Sequence, residues 1–280
     1  MNEENINRLK EDLWRMGFGE KLHSKLEHFT NQRFPEFVLA SETTLNRLTL
    51  QSTLHFTRVA GTDRYVLASH FAHLKNDVGI REQVFYLDRG YQLTLKEVSN
   101  LLEGRAVYKE IQPDALKGYQ AWLQLDLRAK DMSGNYLVSE LKDQSYQLSR
   151  ELARFPIAEL KEPASSERLI SSLQKGNLQL VTMELEGRNQ KMCIQADPQH
   201  KSFRLYDYGA LRLLSDQQVA SIALVQARKK LNGKEVPIKG EQQGRELKTN
   251  NEPIKQTGEQ KKQTPSLRNS AGKRKIHGLR

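Results

Sequence analysis

Residues 48–57 read Leu48-Thr49-Leu50-Gln51-Ser52-Thr53-Leu54-His55-Phe56-Thr57. Leu48, Leu50, Leu54 and Phe56 fall on one side of a two-residue period, while Thr49, Gln51, Thr53, His55 and Thr57 fall on the other, which is the signature of a half-buried strand. Gly61-Thr62-Asp63 then turns the chain, residues 64–74 read as the returning strand of a hairpin, and residues 83–87 as a third strand. Upstream the period is helical. Ile6, Leu9, Leu13 and Trp14 mark one face of a helix over residues 5–16 that Gly17 stops. Leu22, Leu26 and Phe29 mark a second helix, ended by Phe34-Pro35.

Downstream, Thr94-Leu95-Lys96-Glu97 has the form of a capping box and opens a helix that ends at Gly104. Strands at 106–111 and 119–126 follow, joined through Pro113 and Gly118. A helix is expected over 143–155, stopped by Pro156, and another from Ser165 to Gly176 with Leu169, Ile170 and Leu173 inward. A three-stranded meander comes next, carrying Val181, Met183 and Leu185, then Met192, Ile194 and Ala196, then Phe203 and Leu205. Its turns are Gly187-Arg188-Asn189 and Asp197-Pro198. Ser215-Asp216-Gln217-Gln218, again a capping box, opens a last helix over 215–231.

Leu101-Leu102-Glu103-Gly104-Arg105 and Leu173-Gln174-Lys175-Gly176-Asn177 both end a helix on glycine and lead into antiparallel strands. A duplicated helix-plus-hairpin unit and a chance recurrence both fit this pattern. The expected class is α+β, with antiparallel sheets and helices packed on one face. The expected divisions are an N-terminal helical segment (1–40), a β-hairpin region (41–93), an α+β core (94–214), a C-terminal helix (215–231) and a disordered basic tail (232–280).

The tail assignment rests on charge. The chain carries a net charge of +10, and residues 232–280 hold twelve cations against five anions, so +7 of it lies there. That stretch has no Phe, Trp, Tyr or Met and holds three of the eight prolines, a composition that buries too little apolar surface to offset the entropy lost on ordering. Within it Lys261, Lys262, Arg268, Lys273, Arg274, Lys275 and Arg280 occur with no Asp or Glu among them. Such a run suits phosphate neutralisation on DNA or RNA. The alternative is a solubilising extension.

Composition closes other routes. A single cysteine, Cys193, excludes an internal disulfide and a multi-cysteine zinc site. No apolar stretch approaches the roughly 20 residues of a spanning helix. The acidic, polar opening Met1-Asn2-Glu3-Glu4-Asn5 is unlike a secretory signal, so a cytoplasmic location is expected. Phosphate-binding, dinucleotide-binding, nucleophile-elbow and zincin motifs are all missing from the sequence, and no catalytic residue and no cofactor is expected. Ser172-Leu173-Gln174-Lys175 matches Ser-x-x-Lys without its partner motifs. His70 and His73, three apart, point to opposite faces on the strand expected here and could not hold one ion together, whereas on a helix they could. Cys193 reads as a structural thiol.

Three body residues suggest sheet-face contacts. Tyr119, Ala121, Leu123 and Leu125 form the apolar side of their strand, which puts Trp122 on the other side between Gln120 and Gln124. There it either stacks on a base or a partner's ring, or packs beneath a second layer. Arg204 and Tyr206, near Lys191 and Lys201, suit a single-stranded nucleic acid or an ordinary solvated face.

The motifs Asn100-Leu101-Leu102-Glu103-Gly104-Arg105-Ala106-Val107, Ala121-Trp122-Leu123-Gln124-Leu125-Asp126, Lys175-Gly176-Asn177 and Ala196-Asp197-Pro198-Gln199-His200-Lys201, followed by Tyr206-Asp207, occur in that order. Over residues 40–210 the chain resembles a domain-of-unknown-function family of proteins encoded on conjugative and mobilisable elements of Bacteroidetes. The resemblance implies a setting in mobile-DNA transfer or maintenance and carries no catalytic residues. The chain departs from that family's pattern at Asp143-Gln144-Ser145-Tyr146-Gln147, where an Asn-Tyr-Gly-like turn is expected. Together these readings point to a non-enzymatic accessory protein of a mobile element that binds nucleic acid non-specifically through its tail, or to a protein-interaction adaptor with no nucleic-acid role.

Overall fold

A computed structural model describes residues 2–45, 48–76, 79–112, 117–142, 145–185 and 187–232. The tail from residue 233, the connection at Pro113 and the Asp143-Gln144 start of an expected helix lie outside the described residues. Among the described residues are six α-helices and ten strands in three antiparallel sheets, the expected α+β class.

The first helix, α1 (Glu3–Met16), is capped by the Asn2 side chain and closed by Gly17 at φ +99°. Ile6, Leu9 and Leu13 are buried as expected, but Trp14 is 64% exposed. The buried face also includes Asn5, one turn before Leu9. The Asn5 side chain accepts from the Tyr65 backbone N–H (2.7 Å) and donates to the Tyr65 carbonyl (3.0 Å), replacing the neighbouring strand that Tyr65 lacks there. The second helix, α2 (His23–Asn31), buries Leu26 and Thr30.

A four-stranded meander follows in the order β1 (Glu36–Leu45), β2 (Leu48–Arg58), β3 (Tyr65–Asn76), β4 (Gly79–Tyr86). β2 shows the expected alternation, with Leu50, Leu54 and Phe56 fully buried. β1 was not expected. It crosses residue 40, and its inward positions change from Phe37 and Leu39 to Ser41 and Thr43, so the apolar period fades halfway along.

The capping box at Thr94 forms in full: the Thr94 amide donates to Glu97 Oε2 (2.8 Å) and the Glu97 amide to Thr94 Oγ1 (3.3 Å), opening α3 (Leu95–Leu102). A second sheet, β5 (Val107–Ile111), β6 (Tyr119–Lys130) and β7 (Tyr136–Leu141), has β6 in the centre. β7 also was not expected, because its residues are half-buried with no two-residue alternation. The helix expected over 143–155 is, within the described residues, only α4 (Leu148–Leu152): Gln147 is extended, and Tyr146 is anchored by its hydroxyl to the Ser202 carbonyl (2.7 Å). Then α5 (Pro163–Gln174) leads to a third sheet of β8 (Gln179–Leu185), β9 (Arg188–Asp197) and β10 (Ser202–Asp207), with β9 central, and α6 (Asp216–Asn232) ends the described chain.

Each of the two glycine-ended helices, α3 and α5, is followed by three strands rather than by a hairpin. The two glycines close their helices alike. Gly104 (φ +83°) and Gly176 (φ +78°) donate to the carbonyls of Leu101 and Leu173, and the next residues, Arg105 and Asn177, donate to those of Asn100 and Ser172. The two closures also meet. Asn100 Nδ2 donates to the Lys175 carbonyl (2.6 Å) and to Asn177 Oδ1 (2.9 Å), and Arg105 Nε donates to the Gly176 carbonyl (2.8 Å). A Cβ on Gly176 would lie 2.8 Å from the Ala106 carbonyl oxygen. Gly176→Ala, adding a left-handed-backbone penalty to a clash with main chain, is expected to cost about 2–4 kcal/mol, read as a shift in the denaturant midpoint.

The second sheet is the middle layer of the fold. On one side Val107, Ile111, Ala121, Leu123 and Leu125 join the core formed by α1–α3 and the first sheet. On the other, Ala106 and Trp122 join Leu152, Phe155, Leu173, Met192, Phe203 and Ile222 in a second core. No helix among the described residues is long and apolar enough to cross a membrane.

Candidate binding cleft

β6 places successive residues on opposite faces, so burial of Ala121 and Leu123 in one core sends Trp122 into the other. Trp122 is 3% exposed, with its ring 5.2 Å from that of Tyr108 and 5.6 Å from that of Tyr146. Of the two sequence readings, packing beneath a second layer is the one observed. An open stacking platform is corrected, because α4, α5 and the Tyr146 turn roof that face.

The roof leaves a cleft of about 740 Å³ beside Trp122. Its walls include Tyr108, Tyr119 and Tyr146, with the polar groups of Gln120, Gln147 and Lys142 between them. Each ring is held by its neighbours. Tyr108 donates to Gln120 Oε1 (2.7 Å), Tyr119 donates to Glu140 Oε2 (2.7 Å), and Lys142 Nζ stands 3.8 Å over the Tyr119 ring. Tyr91 donates to the other Glu140 oxygen. Burial raises the Glu140 carboxyl, but the two tyrosine hydroxyls and the Lys142 ammonium more than offset this and hold it below the usual range. The arrangement sets aromatic rings beside amides, the Lys142 ammonium and the Glu110 carboxylate, suited to binding a planar or amphipathic group.

The other expected contacts do not join it. On β10, Arg204 Nε donates to Asp197 Oδ2 (2.9 Å), which also bonds His200 Nδ1 (2.9 Å). That hydrogen bond and ion pair raise the Arg204 guanidinium further. Arg204 is thus paired with Asp197 while its side chain remains 40% exposed. Tyr206 is half-buried beside it, and burial raises its hydroxyl. Lys261, Lys262, Arg268, Lys273, Arg274, Lys275 and Arg280 all lie outside the described residues.

Ser172 Oγ accepts from Asn177 Nδ2 (2.9 Å) and helps to close α5, so Ser-x-x-Lys here is helix-end structure. Cys193 is buried, and burial raises its thiol. Among the described residues no group of three or more His, Cys, Asp or Glu side chains is placed to hold a metal ion. His73 sits on the solvent face of β3 bonded to Glu82 (2.9 Å), while His70 is 2% exposed on the core face, bonded to Ser52 Oγ (2.9 Å) and edge-on to Phe18.

Burial lowers the His70 pKa to about 4. The unfolded chain binds that proton near pH 6.5, so between about pH 6.5 and 4 the unfolded state holds more protons than the folded one. Stability is therefore expected to fall by about 3 kcal/mol as pH drops through that window and to be unaffected by this group above it. Denaturant midpoints at pH 7.5 and 4.5 check this, and the gap should narrow in His70→Gln.

Sequence reasoning missed the node formed by Asn100, Arg105 and Gly176, whose signal was present in the paired glycine motifs. No family model, curated protein or solved structure matches the chain.

Proposed function

We propose that the protein is a non-enzymatic accessory protein of a mobile genetic element that binds nucleic acid non-specifically through its basic C-terminal segment. The observation that carries this reading is the run of seven cations from Lys261 to Arg280 with no Asp or Glu among them in the sequence. Of the suggested sheet-face contacts, Trp122 is buried in the second core and Arg204 is paired with Asp197. The run richest in cations without Asp or Glu in the sequence is in the tail. The mobile-element setting rests on the ordered motifs around Gly104, Trp122, Gly176 and Asp197, and relaxase or transfer genes beside its own would support it.

Binding of the full chain to unrelated duplex and single-stranded oligonucleotides in a salt series tests the reading. Expected are similar affinities on all sequences and a linear fall of log affinity with log salt. Absence of binding at low salt overturns it in favour of an adaptor. A specific observation already favours that second reading, namely the aromatic-walled cleft at Trp122, whose contents the tail hypothesis does not need.

A further inference from the structure

Among the described residues, three sheet edges are bonded in part by the protein's own groups. At β4, the Val84 amide donates to Asn135 Oδ1 (2.8 Å), and the Gln83 side chain bonds both backbone groups of Tyr136. The free end of β3 is taken by Asn5. At β8, the Thr182 amide donates to Glu159 (3.0 Å) and the Glu184 amide to the Pro156 carbonyl (2.9 Å). At β10, the Asp207 amide donates to the Arg212 carbonyl and the Leu214 amide to the Leu205 carbonyl, both at 2.9 Å.

β1 differs. It pairs with β2 over ten consecutive residues without a bulge. The Arg58 amide donates to the Pro35 carbonyl (2.8 Å), which fixes the phase of the ladder: odd-numbered residues of β1 turn their N–H and C=O toward β2. The N–H and C=O groups of Glu36, Val38, Ala40, Glu42 and Thr44 therefore face outward, and among the described residues nothing bonds to them. The same five side chains lie on the solvent face and are exposed. A straight ten-residue edge with no proline, lysine or bulge is a template for another strand.

We propose that β1 is a homodimer interface, in which two copies pair their β1 strands antiparallel about a two-fold axis at Ala40 and join their sheets into one of eight strands. A two-fold edge must complement itself. With the axis at Ala40 all five outward residues find partners, Ala40 with its own copy, Val38 with the partner's Glu42, and Glu36 with the partner's Thr44. Each of these pairs exchanges two main-chain hydrogen bonds. Moving the axis to Leu39 sets Glu36 against the partner's Glu42, and moving it to Glu42 sets that residue against itself, so like-charge repulsion disfavours both. Axes at Val38 or Ser41 leave outward residues unpaired. The small Ala40 side chain also lets the strands meet closely at the axis.

Two strands alone make an interface at the small end of the specific range, so a dissociation constant in the micromolar range is expected. The test is sedimentation velocity of the full chain from about 1 to 300 µM, after nuclease treatment and in about 0.5 M salt, so that nucleic acid bridging copies through the tail does not contribute. The expected result is a shift from the 32.3 kDa monomer toward twice that mass. Ala40→Pro should abolish it, since the lost N–H faces the open edge and no β1–β2 bond is broken. If Ala40→Pro fails to fold, Val38→Lys replaces it: an ammonium opposite the partner's Glu42 should tighten the dimer several-fold. Ala40→Cys fixes the register, because hydrogen-bonded partners about 5.5 Å apart are within disulfide reach. It should oxidise to a covalent dimer, and Thr44→Cys should not. A chain that stays monomeric throughout overturns the proposal and leaves the edge to a strand from another protein. A dimer that persists in well-folded Ala40→Pro overturns it too, as does equal cross-linking at residue 44.

Discussion

Trp122→Ala is expected to lower stability by about 3–5 kcal/mol, the range for truncating a buried tryptophan, and so to move the melting temperature by something near 10 °C or more in a domain of this size. The side chain is 3% exposed, bounded by Tyr108 and Tyr146, in the core that also holds Leu152, Phe155 and Leu173. Its removal takes a large ring out of that core and enlarges the cleft beside it. Trp122→Phe, which keeps a ring there, should cost markedly less. Thermal unfolding of the two variants beside the parent measures both effects. A variant that binds nucleic acid weakly yet melts at the parental temperature would contradict the burial assignment.

Cutting the chain after Asn232 is expected to flatten the log–log salt dependence of duplex DNA binding by about 3–5, because each neutralised phosphate contributes roughly 0.9 to that slope. The cut removes twelve cations, seven of them in the carboxylate-free run from Lys261 to Arg280. Engagement of four or five of these would account for the change. It leaves α6, with Ile222 in the second core, in place, so cooperative unfolding should persist with a similar midpoint. Fluorescence anisotropy at four or five salt concentrations measures the slope for each form. If both forms give the same affinity and slope, the tail is not the nucleic-acid contact and the adaptor reading takes its place.

Much of the architecture was legible because local chemistry and global burial agree over most of the chain. β2 shows its two-residue period, as do Val181 and Met183 on β8 and Phe203 and Leu205 on β10, while β9 buries Cys193 between Met192 and Ile194. The capping boxes at Thr94 and Ser215 form as spaced, and Gly17, Gly104 and Gly176 end helices in the left-handed region that glycine tolerates. What escaped was decided by tertiary neighbours. Trp14, expected inward, is exposed, and the burial of Asn5 is explained by its side-chain amide, which bonds both backbone groups of Tyr65. β1 and β7 lack an apolar period because one edges a sheet and the other is half-covered on both sides. Trp122 was ambiguous for the same reason: alternation assigns a side chain to a face but cannot say whether another layer covers that face. Of the candidate cleft, sequence identified Trp122 and Gln120, while Tyr108, Tyr146 and Lys142 are brought there by other chain segments.

The middle position of the second sheet also has a consequence during synthesis. Its strands are complete once residue 141 has been made, but the layer that covers Trp122 runs on to Ile222 in α6. At about 5–20 residues per second the ribosome needs roughly 4–16 s to supply the intervening residues. Throughout that interval the nascent chain displays a half-built hydrophobic face. Chaperone demand on this protein should therefore peak while its middle third is waiting for its last third.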